Sequence, residues 1–222
     1  PPPAAAFAEI YARDVETALE AAFLNSRLIA TELREVGINV SCSPCLDLLH
    51  DEGHGIIGDR ALGRETNQIA ELGRAVAEGL LDGAVLPVIK HIPGHGRAMA
   101  DSHMNLPVVD TPRDELERTD FTPFRALARA HLGMTAHVVF TAIDPTAPAT
   151  TSKTVIDEIV RGYIGFDGLL MTDDLTMKAL KGTLTERVKN SIAAGCDMIL
   201  HCTRNMDEMR EIAEATPMLS GR

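Results

Sequence analysis

Five apolar segments in this chain each close on a reactive polar side chain, and helical stretches separate them. Ile38–Ser41 leads toward Asp47, and Val85 onward runs into Lys90 and His91. Leu132 to Phe140 carries His137, Gly168–Thr172 meets Asp173 and Asp174, and Asp197–Leu200 meets His201. Near-continuous apolar strands joined through helices describe an α/β fold with a parallel sheet covered by helices. The C-terminal ends of such strands form one rim. In a barrel that rim is the catalytic face, and in an open sheet it is the ligand crevice. A barrel is the favoured architecture, but five strands cannot close a ring of eight. Either strands lie outside this chain or the sheet is open. No glycine-rich nucleotide fingerprint follows a strand and opens a helix, which counts against a dinucleotide fold.

Helical periodicity fills the intervals. Asp14 to Val36 repeats apolar Val15, Leu19, Ala22, Phe23, Leu28 and Leu33 at three and four spacings, and Gly37 stops it. Glu65–Leu81, Asp114–Ala130 with a break near Pro123, Thr154–Arg161 with Gly162 behind it, Thr185–Ala194 with Gly195 behind it, and Met206–Ala215 read the same way. His91 to Asp110 is polar, with too little periodicity for an element. Pro1–Pro2–Pro3 reads as an extended linker or a cut end. The chain reads as one catalytic domain over 1–222, with no second domain.

The net charge of -11 argues against a nucleic-acid partner and an anionic membrane surface. No apolar run approaches the ~20 residues of a membrane-spanning helix, and no basic-then-apolar leader opens the sequence. Four cysteines are too few for a disulfide scaffold at 222 residues, so a reducing, cytoplasmic setting is expected. Cys42–Ser43–Pro44–Cys45 has CxxC spacing but ends a strand rather than opening a helix. Two small buried side chains are its simpler reading against redox or zinc chemistry.

Three segments carry chemistry. Lys90–His91 leaves a strand, and both residues can donate to hydroxyl groups of a ligand. The Pro93, Gly94 and Gly96 path then aims His95 back toward the strand. Asp101 and His103, two apart, form a candidate dyad in which the carboxylate fixes the ring tautomer and makes His103 a general acid/base. A metal site built from the same histidines, or plain loop hydrogen bonding, stands as an alternative. In the second segment, Asp173 and Asp174 end a strand. Neighbours point to opposite faces, so one projects into the site as a nucleophile while backbone or cations hold the other. A helix-capping pair is the alternative. The third segment, Ile57–Gly63, presents Arg60 between glycines.

Together the motifs KHIPGHG at 90–96, DSH at 101–103, LPVVD at 106–110, MTAHVVF at 134–140, GFDGLLMTDDLTM at 165–177 and AAGCDMILHC at 193–202 resemble those of the single-domain β-N-acetylglucosaminidases of glycoside hydrolase family 3, enzymes of peptidoglycan recycling. The resemblance implies a (β/α)8 TIM-type barrel with about five of eight strands in this chain. It implies Asp173 as nucleophile, His103 as acid/base with Asp101 as partner, and Arg60, Lys90 and His91 as sugar ligands. Ile92 stands where the family has Phe, and Thr172 and Thr176 where it has Ser. Family members also carry three strands upstream of the position of Phe7, with a D-x-E-G-G segment whose aspartate grips the sugar. The chain is therefore expected to be N-terminally incomplete, with open sheet edges beside Ile38–Ser41 and Asp197–Leu200. By itself it should aggregate or lack activity.

The implied reaction is retaining hydrolysis of terminal β-linked N-acetylglucosamine from muropeptide fragments through a covalent glycosyl-enzyme. No metal or organic cofactor is required. The expected partner is a small carbohydrate, a muropeptide or N-acetylglucosaminide, bound by a monomer without nucleic acid or membrane. Two rivals stand. One is a glycoside phosphorylase on the same scaffold, and the other is a sugar-binding protein without turnover.

Overall fold

The computed structural model describes residues 1–50, 55–98 and 106–218. Helices α1 (Ala4–Tyr11) and α2 (Val15–Glu35) open the chain. Asp14 caps α2, its carboxylate accepting from the Thr17 amide and hydroxyl. Strand β1 (Val40–Ser41), helix α3 (Thr66–Asp82) and strand β2 (Leu86–Ile92) follow. Then come β3 (Val108–Val109), α4 (Arg113–Arg118), α5 (Thr122–Ala126), β4 (Leu132–Thr135) and β5 (Val139–Phe140). A π-helical stretch, Val155–Tyr163, leads to β6 (Leu169–Asp174), α6 (Leu184–Ala194), β7 (Met198–Leu200) and α7 (Met206–Ala215). Five strands make one parallel sheet in the order β1-β2-β4-β6-β7, and β3 pairs with β5 in a separate parallel ladder. Among the described residues no helix is long and apolar enough to cross a membrane.

The strand side chains alternate as a parallel β/α sheet requires. Ile89, Ile92 and Leu170 join the large core that includes Phe121, Phe124, Phe140 and Phe166, all buried among the helices. Val88, Met134 and Met171 form a second buried cluster on the other, inner face. Stepping by two from Leu169 through Met171 reaches Asp173, so the pleat itself delivers that carboxylate to the inner face. Burying each such phenylalanine or leucine contributes about 1.5–3 kcal/mol.

Several expectations change. The segment 38–47 keeps only two strand residues. Pro44 has no N–H for the ladder, and beyond it Cys45 makes a single bridge to Lys90. The segment 132–140 divides at Ala136–Val138, because β5 turns away to pair with β3 inside what read as an elementless polar stretch. Helix α1 forms in a short alanine-rich run whose periodicity gives little signal. Gly162 lies inside its helix rather than behind it.

The buried face of α2 is also different. Leu28 is 59% exposed, and the buried stripe is Ala18, Ala22, Ser26 and Ala30. Small residues win there because α3 approaches closely. A Cβ on Gly79 would lie 2.2 Å from the Phe23 carbonyl oxygen, and one on Gly83 would lie 2.3 Å from the Ala30 Cβ.

Candidate active site

The inner face ends in a cavity of about 250 Å³ at the C-terminal rim of the sheet. Lys90, His91, His95, Asp173, Arg60 and Met177 line it, together with Cys42 and Cys202 from beyond the two edge strands. A larger cavity of about 500 Å³ adjoins it and shares Cys42, Arg60 and Lys90, but Pro1–Pro3, Phe7 and Leu62 make much of its wall apolar. The titratable groups converge on the smaller one.

Asp173 is 9% exposed. Among the described residues its side chain accepts one hydrogen bond, from the Asp174 amide at 2.8 Å. Asp174 points the other way and is heavily engaged. It accepts from the Thr176 amide at 3.0 Å, the Thr176 hydroxyl at 2.7 Å and the Cys202 amide at 3.3 Å. One member projects and its neighbour is held by backbone, as strand alternation requires. The capping role belongs to Asp174 alone, and it caps a turn rather than a helix. The turn is further fixed by Arg187, which donates to the carbonyls of Leu175 at 2.6 Å and Met177 at 3.1 Å. Behind it His137 bonds the Asp174 carbonyl at 3.0 Å through Nε2 and the Thr150 hydroxyl at 2.7 Å through Nδ1. Burial pushes the His137 pKa down, so the ring is a neutral structural link. His201 is drawn away from the cavity by Glu208 of α7 at 2.9 Å.

Lys90 and His91 both reach the cavity although they are adjacent. The register between β2 and β4 slips between Lys90 and Ile92, and this irregularity lets consecutive residues share a side. His91 Nδ1 lies 2.6 Å from Asp47 Oδ2. The Asp47 carboxylate also accepts from the His91 amide at 3.3 Å, the His95 amide at 2.7 Å and the Cys45 thiol at 3.1 Å. Burial would push this carboxyl up. The electrostatic attraction and hydrogen bond of the His91 ring, with His95 and the Cys45 thiol behind it, overcome that and hold Asp47 well below the usual carboxylate range. Burial, reinforced by Asp47, pushes the Cys45 thiol up, and burial pushes His95 down.

The turn from Pro93 to Ala98 leaves no slack. A Cβ on Gly96 would lie 1.7 Å from the Leu48 carbonyl oxygen. Arg97 then pins the segment to Asp120 at 2.7 Å and Glu115 at 2.8 Å. Asp101 and His103 lie outside the described residues.

Arg60 is exposed, lines both cavities and donates to the Ile56 carbonyl at 2.7 Å. Lys90 is half-buried and makes no ion pair among the described residues. All four cysteines are free, so Cys42 and Cys45 form no disulfide. Cys45, Asp47 and His91 bring sulfur, oxygen and nitrogen atoms within 4.8 Å of one another, a donor set a zinc-type ion could use. The same atoms also satisfy each other directly through hydrogen bonds. Asp47, His137 and Arg187 were not among the site residues read from the motifs. The signal for Asp47 was its place at the end of an apolar run, and nothing in spacing points to Arg187.

The family model for the glycosyl hydrolase family 3 N-terminal domain matches residues 1–220. This chain belongs to glycoside hydrolase family 3. It is 40% identical over 211 residues to a beta-hexosaminidase of Neisseria gonorrhoeae, covering 91% of this chain and 58% of that protein. A beta-hexosaminidase of Nitrosomonas eutropha is 38% identical over 205 residues, covering 90% of this chain and 58% of that one. Among solved structures, NagZ from Neisseria gonorrhoeae in complex with N-trifluoroacetyl-D-glucosamine superposes with a TM-score of 0.90 at 36% identity, covering 100% of this chain and 64% of that one. A family 3 β-N-acetylglucosaminidase from Paenibacillus sp. gives 0.84 at 37% identity, covering 89% and 38%. The family 3 chain therefore spans less than two thirds of these relatives. Its curled five-stranded sheet is part of a TIM-like β/α barrel.

Proposed function

We propose that this chain forms the catalytic site of a glycoside hydrolase releasing terminal β-linked N-acetylglucosamine, with Asp173 as nucleophile. The observation that carries this reading is the placement of Asp173. It is a nearly buried carboxylate at the end of β6, with one hydrogen bond among the described residues, facing a cavity that Lys90, His91 and Arg60 share. A nucleophile needs lone pairs free to meet an anomeric carbon, and cationic and imidazole neighbours suit a hydroxyl-rich substrate. The names and ligand of the relatives support the choice of sugar.

In the proposed reaction, Asp173 bonds to the anomeric carbon as the glycosidic oxygen leaves with a proton from His103. Water then gives a proton to His103, attacks the same carbon and frees Asp173, with retention of configuration. Asp101 orients His103, and Arg60, Lys90 and His91 hold the sugar. The natural substrate is a muropeptide fragment of the N-acetylglucosamine–1,6-anhydro-N-acetylmuramic acid type.

The test is hydrolysis of an aryl N-acetylglucosaminide, followed by trapping with a fluorinated activated glycoside. A covalent adduct on the peptide containing Asp173 is expected. Turnover with no adduct on that residue, and undiminished turnover by Asp173→Ala, would overturn the assignment. His103→Ala should slow poor leaving groups far more than activated aryl ones, and equal losses on both would remove its acid/base role. Formation of the sugar 1-phosphate in phosphate buffer would replace hydrolysis by phosphorolysis.

A further inference from the structure

The sugar ligands read from the motifs offer donors, and a hydroxyl-rich substrate also needs an acceptor for its own protons. We propose that Asp47 is a positioning residue that fixes the His91 tautomer: Nδ1 donates to Asp47, and whenever the ring is neutral its unprotonated Nε2 is left to the cavity as acceptor for a sugar hydroxyl. This rests on the sugar-hydrolase reading above.

The argument starts from donors that cannot reverse. Asp47 Oδ1 receives two backbone N–H groups, from His91 at 3.3 Å and His95 at 2.7 Å. Whatever atom sits there must accept. Oδ2 receives the Cys45 thiol at 3.1 Å and faces His91 Nδ1 at 2.6 Å. An ionised carboxylate oxygen has no proton to give, so the hydrogen on that short contact belongs to Nδ1. A neutral imidazole carries one N–H, so Nε2 is left with a lone pair. Nε2 has no hydrogen-bond partner among the described residues, and the ring lines the cavity beside Lys90 and Asp173. Lys90 donates, Nε2 accepts, and the register slip in β2 sets them side by side. Together they match a hydroxyl, which needs one partner of each kind.

Asp47→Asn tests this because the backbone dictates how the amide must sit. The two N–H groups demand the amide oxygen at the Oδ1 position. The NH2 then takes the Oδ2 position and points at His91 Nδ1. The neutral ring must invert, carrying its proton on Nε2 and turning an acceptor into a donor. The same logic operates in serine proteases, where exchanging the buried aspartate for asparagine leaves the catalytic histidine in the wrong tautomer.

In histidine-labelled chain, nitrogen–proton correlation spectra taken where the ring is neutral should show Nδ1–H in the parent and Nε2–H in the variant. The KM for an aryl N-acetylglucosaminide should rise about tenfold to hundredfold, with kcat changed far less, because the lost hydrogen bond is made before and during reaction. An Nε2–H ring in the parent, or an uninverted ring in the variant, would overturn the proposal. So would an inverted ring with unchanged KM. If Asp47→Asn fails to fold, the parent spectrum still decides. The ring is read in the resting protein, so the spectrum decides the tautomer whether or not the parent turns substrate over, and the hydrolase reading stands or falls on the separate trapping experiment.

Discussion

Asp47 and Asp173 are both carboxylates at the rim of one sheet, and both are buried, yet their surroundings differ in kind. Asp47 accepts from the His91 amide and ring, the His95 amide and the Cys45 thiol. Asp173 accepts one backbone hydrogen bond among the described residues. The saturated carboxylate is spent on holding other groups still, and the open one is available to a substrate. On the proposed reading, neighbouring donors, rather than burial or strand position, separate a positioning acid from a reacting one.

The largest effect should come from removing the open carboxylate. Asp173→Ala is expected to lower turnover by about a thousandfold or more, since each ~1.4 kcal/mol of lost barrier reduction is tenfold. Its thermal midpoint should stay near the parent value. A large drop in midpoint would erase the contrast with Asp47. Asp47→Ala should do the reverse, costing about 3–5 kcal/mol of stability because a buried, multiply bonded charge leaves its donors unpaired. Denaturant unfolding measures this, and an unchanged midpoint would show the cluster to be dispensable.

Asp174→Ala sharpens the comparison, because it removes a saturated acid next to the open one. It should cost about 1–3 kcal/mol through the Thr176 and Cys202 donors, and slow turnover about tenfold by loosening Asp173. The smallest effect concerns acid. Asp47, and Asp120 through His50 and Arg97, have folded pKa values below their unfolded ones. Their stabilisation is complete above the unfolded carboxylate range and is lost as pH falls from about 4. Thermal midpoints should therefore be level from neutral pH to about 5 and then decline. Asp120→Asn should make the decline shallower.

Much of this was legible from the chain itself. Apolar runs ending in Lys90, His91, Asp173 and Asp174 fixed a parallel sheet and its reactive rim, because strand alternation is local and survives any packing. Adjacency alone said that one of Asp173 and Asp174 would be tethered, and the family resemblance pointed to Asp174 as that one. The face of α2 was not legible, because Leu28 and Ala30 exchange places only when Gly79 and Gly83 bring α3 close. The β3–β5 pairing joins Val108 to Val139, a contact between remote residues that no local pattern records. Asp47 stood at a strand end in the sequence, but its four donors come from three residues, two of them beyond β1 and α3 in the chain.

The slip of register in β2 has a consequence for the spacing of chemistry. A regular strand offers one face every second residue, so two groups on that face sit at least about 6.5 Å apart along the chain. The slip between Lys90 and Ile92 frees this rim from that interval and seats a cation and an imidazole from consecutive residues at one opening. It works like a vernier, placing a pair more finely than the pleat can measure. Length in this strand is therefore as constrained as residue identity. A one-residue insertion or deletion between Val88 and Ile92 would leave the sheet a plausible strand and turn one of the pair toward the helices.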